Sequence, residues 1–181
     1  MVFRPEKIFR EQLVVAERRF GKRTGTYRLE VKGRSSPIPE TVLPPGSDTV
    51  YVYYFDGALD NGQRLIVQLA HEVVHVVAGA FRRDATLFEE GLATEFSLDR
   101  VSSAYKAPCE GDLPPFFRNT LDKFRELKAS DAAIKALRKQ TTVDAITASV
   151  LEKVFGASPE LAKALCDRVS IDDADRSIGS L

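Results

Sequence analysis

The chain is expected to be an α+β protein, with a small N-terminal β-sheet carrying two consecutive helices, followed by a helical C-terminal lobe. Three observations predict this. Thr49–Phe55 reads Thr-Val-Tyr-Val-Tyr-Tyr-Phe, a run of β-branched and aromatic residues that suits a pleated, half-buried surface. Directly after it, Leu65, Ile66, Leu69, Val73, Val76, Val77 and Ala80 recur at helical spacing. Beyond Arg100 every apolar pattern is helical.

In order along the chain, residues 6–20 read as a helix whose inner face is Ile8, Phe9, Leu13, Val15, Ala16 and Phe20, closed by Gly21. Tyr27 to Val31 alternates as a short strand, closed by Gly33. Ser35 to Pro45 holds Pro37, Pro39, Pro44 and Pro45, so it is an extended loop or edge segment in which Val42-Leu43 pairs at most briefly. The helix after Thr49–Phe55 starts behind the turn residues Gly57 and Gly62, with Asp60 and Gln63 spaced as a capping box. Thr86 and Glu89 have the same spacing and open a helix running to about Arg100, with Phe88, Leu92 and Phe96 as its core stripe. The small residues Gly91 and Ala93 are expected to let it approach the preceding helix closely. Pro108 to Pro115 reads as a loop. Helices follow over Phe117–Leu127, Ala132–Lys139 and Val143–Phe155. The last helix opens at Ser158-Pro159 and runs to about Val169.

At 181 residues the chain is one domain with two lobes. Residues 1–103 form the α+β upper lobe, 104–170 the helical lower lobe and 171–181 a flexible tail, with the hinge at 104–108. A chain of this length buries about 70% of its unfolded surface. Formal net charge is zero, so no bulk attraction to nucleic acid or membrane is implied. Residues 1–34 are basic, with Arg4, Lys7, Arg10, Arg18, Arg19, Lys22, Arg23, Arg28, Lys32 and Arg34 facing only four glutamates. Such a helix can contact nucleic acid, but a solvated face explains it more simply. Cys109 and Cys166 are too few for a disulfide scaffold. The N-terminus lacks the apolar run of a signal peptide, and no stretch reaches the roughly 18 apolar residues of a span. The expectation is a cytoplasmic protein with free thiols and no membrane partner.

The chemistry-bearing stretch is His71-Glu72-Val73-Val74-His75, an H-E-x-x-H pattern that contains both histidines of the chain. On a helix, residues four apart stand on one face, so two imidazoles can grip one metal ion and the Glu between them can act on a bound water. Catalytic zinc ordinarily has three protein ligands. With no third His, the third ligand must be a carboxylate or a Cys. Glu90, in Phe88-Glu89-Glu90-Gly91-Leu92-Ala93, lies in the first turns of the next helix, and Glu95 is the alternative if that helix is rotated.

H-E-x-x-H followed by E-G-x-A on a second helix resembles the gluzincin metallopeptidases, the group of thermolysin-like enzymes and zinc aminopeptidases. The resemblance covers Gln68 to Ser97. It implies a zincin-like fold, zinc as cofactor, His71, His75 and Glu90 as ligands, and Glu72 as general base. It implies hydrolysis of peptide bonds in a peptide or protein substrate. It also implies an edge strand at the cleft that takes extended substrate, a role expected for Thr49–Phe55, and an oxyanion donor. Aminopeptidases use a Tyr for the last task, and Tyr105 is the candidate. Two positions depart from the pattern: Glu89 stands where aminopeptidases often have Asn, and Thr94 where thermolysin-like enzymes have an acidic residue. The competing expectation is a zinc-binding regulatory module of the same fold that does not turn over peptides.

Overall fold

The computed structural model describes residues 3–79, 81 and 84–170; the expected tail at 171–181 and Ala80 lie outside them. The N-terminal part is a three-stranded sheet with helices on one face. Its strands are β1 (Arg28–Arg34), β2 (Glu40–Val42) and β3 (Thr49–Phe55), in the order β1-β3-β2. Thr49–Phe55 is a strand, as its composition requires, but it is central and not at the edge. It pairs parallel with β1 from Arg28↔Thr49 to Arg34↔Phe55, and antiparallel with β2 from Glu40↔Tyr53 to Val42↔Tyr51. The edges are therefore β1 and β2, the latter kept to three residues by the prolines around it. The period-2 alternation sends Val50, Val52 and Tyr54 into the core and leaves Tyr51, Tyr53 and Phe55 on the outer face. By the same alternation Thr41, opposite Val52, points inward. β1 continues through Gly33, where a side chain would collide with Asp56.

Helix α1 (Pro5–Phe20) opens with proline in its first turn and buries Phe9, Leu13, Ala16 and Phe20. Helix α2 (Gly62–Ala78) carries H-E-x-x-H. Its cap is Asn61, one residue beyond the expected Asp60: Asn61 Oδ1 accepts from the backbone N–H of Gln63 at 3.0 Å and of Arg64 at 3.2 Å. Asp60 belongs to a short 3-10 turn over Asp56–Asp60. Gly79 ends α2 in the left-handed conformation (φ 76°), which glycine adopts without the steric penalty a Cβ would bring.

Strand β4 (Asp84–Thr86) leads straight into α3 (Leu87–Asp99). Thr86 caps α3 as its spacing predicts, its Oγ1 accepting from Glu89 N–H at 3.2 Å. Phe88, Leu92 and Phe96 are buried, and so are Ala93, Thr94 and Ser97 on other faces, because α3 lies between α2 on one side and α5 (Pro115–Glu126) on another. Gly91 serves the second of these contacts. A methyl there would collide with Phe124 Cβ and stand 3.2 Å from the Thr120 carbonyl, so its smallness admits α5 and not α2.

The C-terminal half departs from the expectation in three places. Helix α4 (Ser103–Gly111) occupies the expected hinge and much of the expected loop, with Pro108 inside it. Ion pairs to its neighbours hold it: Lys106 to Asp99 at 2.6 Å, and Arg125 of α5 to Glu110 at 2.5 Å. The expected helix over 143–155 is a 3-10 turn (Val143–Ala145) followed by α7 (Ala148–Phe155), split at Thr147, which is extended. α8 (Pro159–Cys166) stops short of Val169, and Arg168–Ser170 forms β5, antiparallel to β4. α6 (Asp131–Arg138) ends in Arg138, whose guanidinium donates to the carbonyls of Phe20 (2.7 Å), Gly21 (2.9 Å) and Val77, tying together the C-terminal ends of α1 and α2. One hydrophobic core runs from Phe9 to Leu165 through both halves. Cys109 and Cys166 are free thiols. Among the described residues no helix is long and apolar enough to cross a membrane.

Candidate metal centre

His71 and His75, one turn apart on α2, face Glu90 in the first turn of α3. The Glu90 carboxylate lies 3.3 Å from His71 Nε2 through one oxygen and 3.5 Å from His75 Nε2 through the other. The ligating atoms of the three residues all fall within 4.8 Å of one another. A tetrahedral zinc with bonds of about 2.0–2.1 Å separates its ligand atoms by about 3.3–3.4 Å, so the donor set and its spacing fit that ion. The three side chains are 11–14% exposed, open enough for a further ligand and shielded from bulk solvent. Glu95, the alternative third ligand, faces elsewhere and pairs with Arg125 at 2.8 Å.

Two residues join the group that the sequence did not assign to it. Glu89 reaches the far side of His75, its carboxylate accepting from Nδ1 at 2.6 Å. The capping box suggested that this side chain turns back to the Thr86 backbone; only half of the box forms, the Thr86 hydroxyl accepting from Glu89 N–H. The attraction of a buried imidazole outweighs a second capping bond. Thr41 on β2 donates its hydroxyl to Glu72 Oε2 at 2.7 Å, so the carboxylate of the candidate base, 2% exposed, is held by one oxygen. The presence of a second acid beside Glu90 was a visible signal for Glu89. Nothing local marks Thr41, which lies 31 residues before Glu72 in a proline-rich stretch.

Tyr105 is not brought to this group. It lies on α4, beside Asn61 at the start of α2 and near Arg64. His71 is ten residues further along, about 15 Å at 1.5 Å per residue. The aromatic ring that does border the group is Phe117, from the first turn of α5, edge-on to His71 with centroids 6.0 Å apart.

The charges of the group are strongly coupled. Burial disfavours a charged His75, but Glu90, Glu89 and Glu72 outweigh it and push its pKa up to about 10. Burial also works against an ionised Glu90, yet the two histidines hold it below the usual carboxylate range. For Glu72 burial prevails, raising its pKa against the opposing pull of His75, His71 and the Thr41 hydroxyl. A raised carboxylate pKa suits a group that must take up and return a proton.

Comparison of the chain with protein families, with curated proteins and with solved structures finds no match.

Proposed function

We propose that the chain is a zinc-dependent peptidase of the gluzincin type, with a zincin-like arrangement of sheet and helices. The observation that carries this reading is the pairing of a three-residue donor set with a separate, buried carboxylate on the same helical turn: Glu72 is no part of the donor set and is held by Thr41. A zinc ion held by His71, His75 and Glu90 would supply a Lewis acid that polarises a peptide carbonyl and makes water acidic. Glu72 is the base that takes the proton and delivers it to the leaving amine. Thr41 holds one Glu72 oxygen and leaves the other for the proton. Phe117 offers an apolar wall beside His71. An extended substrate would add to β2, the edge that adjoins Glu72 through Thr41, in the place first expected of β3. Tyr105 has no part in this scheme.

The test uses purified protein and a quenched peptide library. Stoichiometric zinc and peptide turnover are expected, with turnover lost on chelation and restored by zinc. A second reading, a zinc-binding module without turnover, draws on the 2% exposure of Glu72, which shields the base from solvent. Full zinc occupancy with no cleavage of any peptide selects it. Protein that takes up no zinc at neutral pH excludes both.

Thr41→Val gives a finer check. It keeps the shape and removes the hydroxyl, leaving a buried Glu72 oxygen without its donor. We expect kcat to fall about tenfold with KM little changed, in line with the loss of one hydrogen bond to a charged group, and Thr41→Ser to restore most of it. Steady-state kinetics of the two variants measure this; equal kcat in wild type and Thr41→Val removes Thr41 from the scheme.

A further inference from the structure

We infer that Glu89 is a positioning residue of the metal centre, an anionic partner that orients His75 and tightens metal binding through it. This rests on the zinc part of the reading above and not on peptide hydrolysis.

Glu89 and Glu90 are neighbours on α3, so their side chains diverge by about 100° around the helix. That divergence lets them take the two nitrogens of one ring: Glu89 stands 2.6 Å from His75 Nδ1, and Glu90 3.5 Å from His75 Nε2. The first distance is that of a short, charge-assisted hydrogen bond. With Nδ1 donating to Glu89, the Nε2 lone pair is the one left to ligate, and it points at Glu90 and the donor set. The ring cannot turn over without breaking this bond.

The placement of Glu89 is itself over-determined. Its backbone N–H is fixed by Thr86, which caps α3, and its side chain is 1% exposed. A carboxylate this deeply buried is costly unless paired, and its pairing here is with a ligand of the centre. His71, by contrast, abuts the edge of the Phe117 ring, an apolar contact that lends it no charge. The two imidazoles are therefore unequal, with His75 the anchored one.

Chelator competition and imidazole NMR test this on full-length protein loaded with zinc. Glu89→Gln keeps the size and an acceptor oxygen but loses the charge; Glu89→Ala loses both. Outer partners of ligating histidines are worth about 10–100-fold in metal affinity. We expect Glu89→Gln to weaken zinc by about tenfold and Glu89→Ala by up to about a hundredfold. The chain has two histidines, so the labelled imidazole spectrum contains only two rings. The His75 Nδ1 proton is expected downfield of that of His71 in the wild type, and to move upfield in Glu89→Gln, while His71 stays in place. A purely structural Glu89 would not move that resonance selectively. If Glu89→Ala fails to fold, the isosteric Gln variant decides alone. Wild-type affinity together with an unmoved His75 resonance in Glu89→Gln overturns the inference. Wild-type protein that binds no zinc overturns it together with the zinc reading. Wild-type protein that binds zinc, weakens as stated in the variants and cleaves no peptide supports the inference and overturns only the peptidase reading.

Discussion

Glu72→Gln is expected to retain zinc at the wild-type stoichiometry and to lose peptide hydrolysis by about 10²–10⁴-fold, the range a positioned general base contributes. The separation of the two effects follows from geometry. Glu72 lies outside the group formed by His71, His75 and Glu90, and its Oε2 is engaged by Thr41 at 2.7 Å. A glutamine fits the same space, and its amide oxygen still accepts from the Thr41 hydroxyl. What it cannot do is take a proton. Burial already disfavours the ionised carboxylate, so a neutral amide should leave the fold as stable or more so. Zinc content, library turnover and thermal unfolding measured side by side give the answer. A Gln variant that cleaves peptides at the wild-type rate would place the base elsewhere.

Glu90→Ala should have the opposite signature, with zinc affinity falling by about 10²–10³-fold if a total of about 10–16 kcal/mol is shared among four ligands. Glu95→Ala serves as the control: its carboxylate pairs with Arg125, and its loss should leave zinc affinity unchanged. The pH dependence adds a second readout. The His75 pKa is pushed up to about 10, so at neutral pH the ring carries a proton that zinc must displace. Zinc affinity should therefore climb with rising pH, roughly tenfold per unit for each proton displaced, up to about pH 10. Among the anions that push His75 up, Glu90 is foremost. Removing it lowers the ring's pKa, so the pH dependence of the Glu90→Ala variant should level off at a lower pH than that of the wild type. Zinc affinities from chelator competition at several pH values measure both effects; a Glu90→Ala protein that holds zinc like the wild type would show that the ligand is another residue.

The parts of the molecule that local pattern governs were legible in the sequence. The bounds of Thr49–Phe55, the helical run through His71 and His75, and the Thr86 cap all depend on residues within a few positions of one another. Sheet order does not. Alternation in Thr49–Phe55 tells which side chains face inward but not whether one or both edges are paired, so its central position emerged only with β1 and β2 in place. α4 was hidden because Pro108 argues locally for a loop, and the contacts that hold the helix come from Asp99 and Arg125 on other elements. β4 and β5, three residues each, are too short to show any period. At the site, the H-E-x-x-H spacing and the acid ahead of Gly91 identified three residues that the fold brings together. The helix-capping pattern points Glu89 at the Thr86 backbone and the family resemblance points Tyr105 at the substrate; His75, on another element, takes the first side chain, and the second stands by Asn61 at the start of α2.

The pairing of β4 with β5 carries a consequence for the order of events during synthesis. The Leu87 N–H donates to the Asp167 carbonyl at 3.0 Å, and Asp84–Thr86 lies against Arg168–Ser170, so the turn that launches Glu89 and Glu90 is moored by residues far downstream. A ribosome releases α2, with His71 and His75, roughly ninety residues before that mooring, or about 5–20 s earlier at ordinary elongation rates. During that interval the two imidazoles are on hand and α3 can pack on α2, but the first turn that carries the two carboxylates lacks its downstream strand. A metal ion held by these donors would find the centre fully braced only once the C-terminal strand has been made.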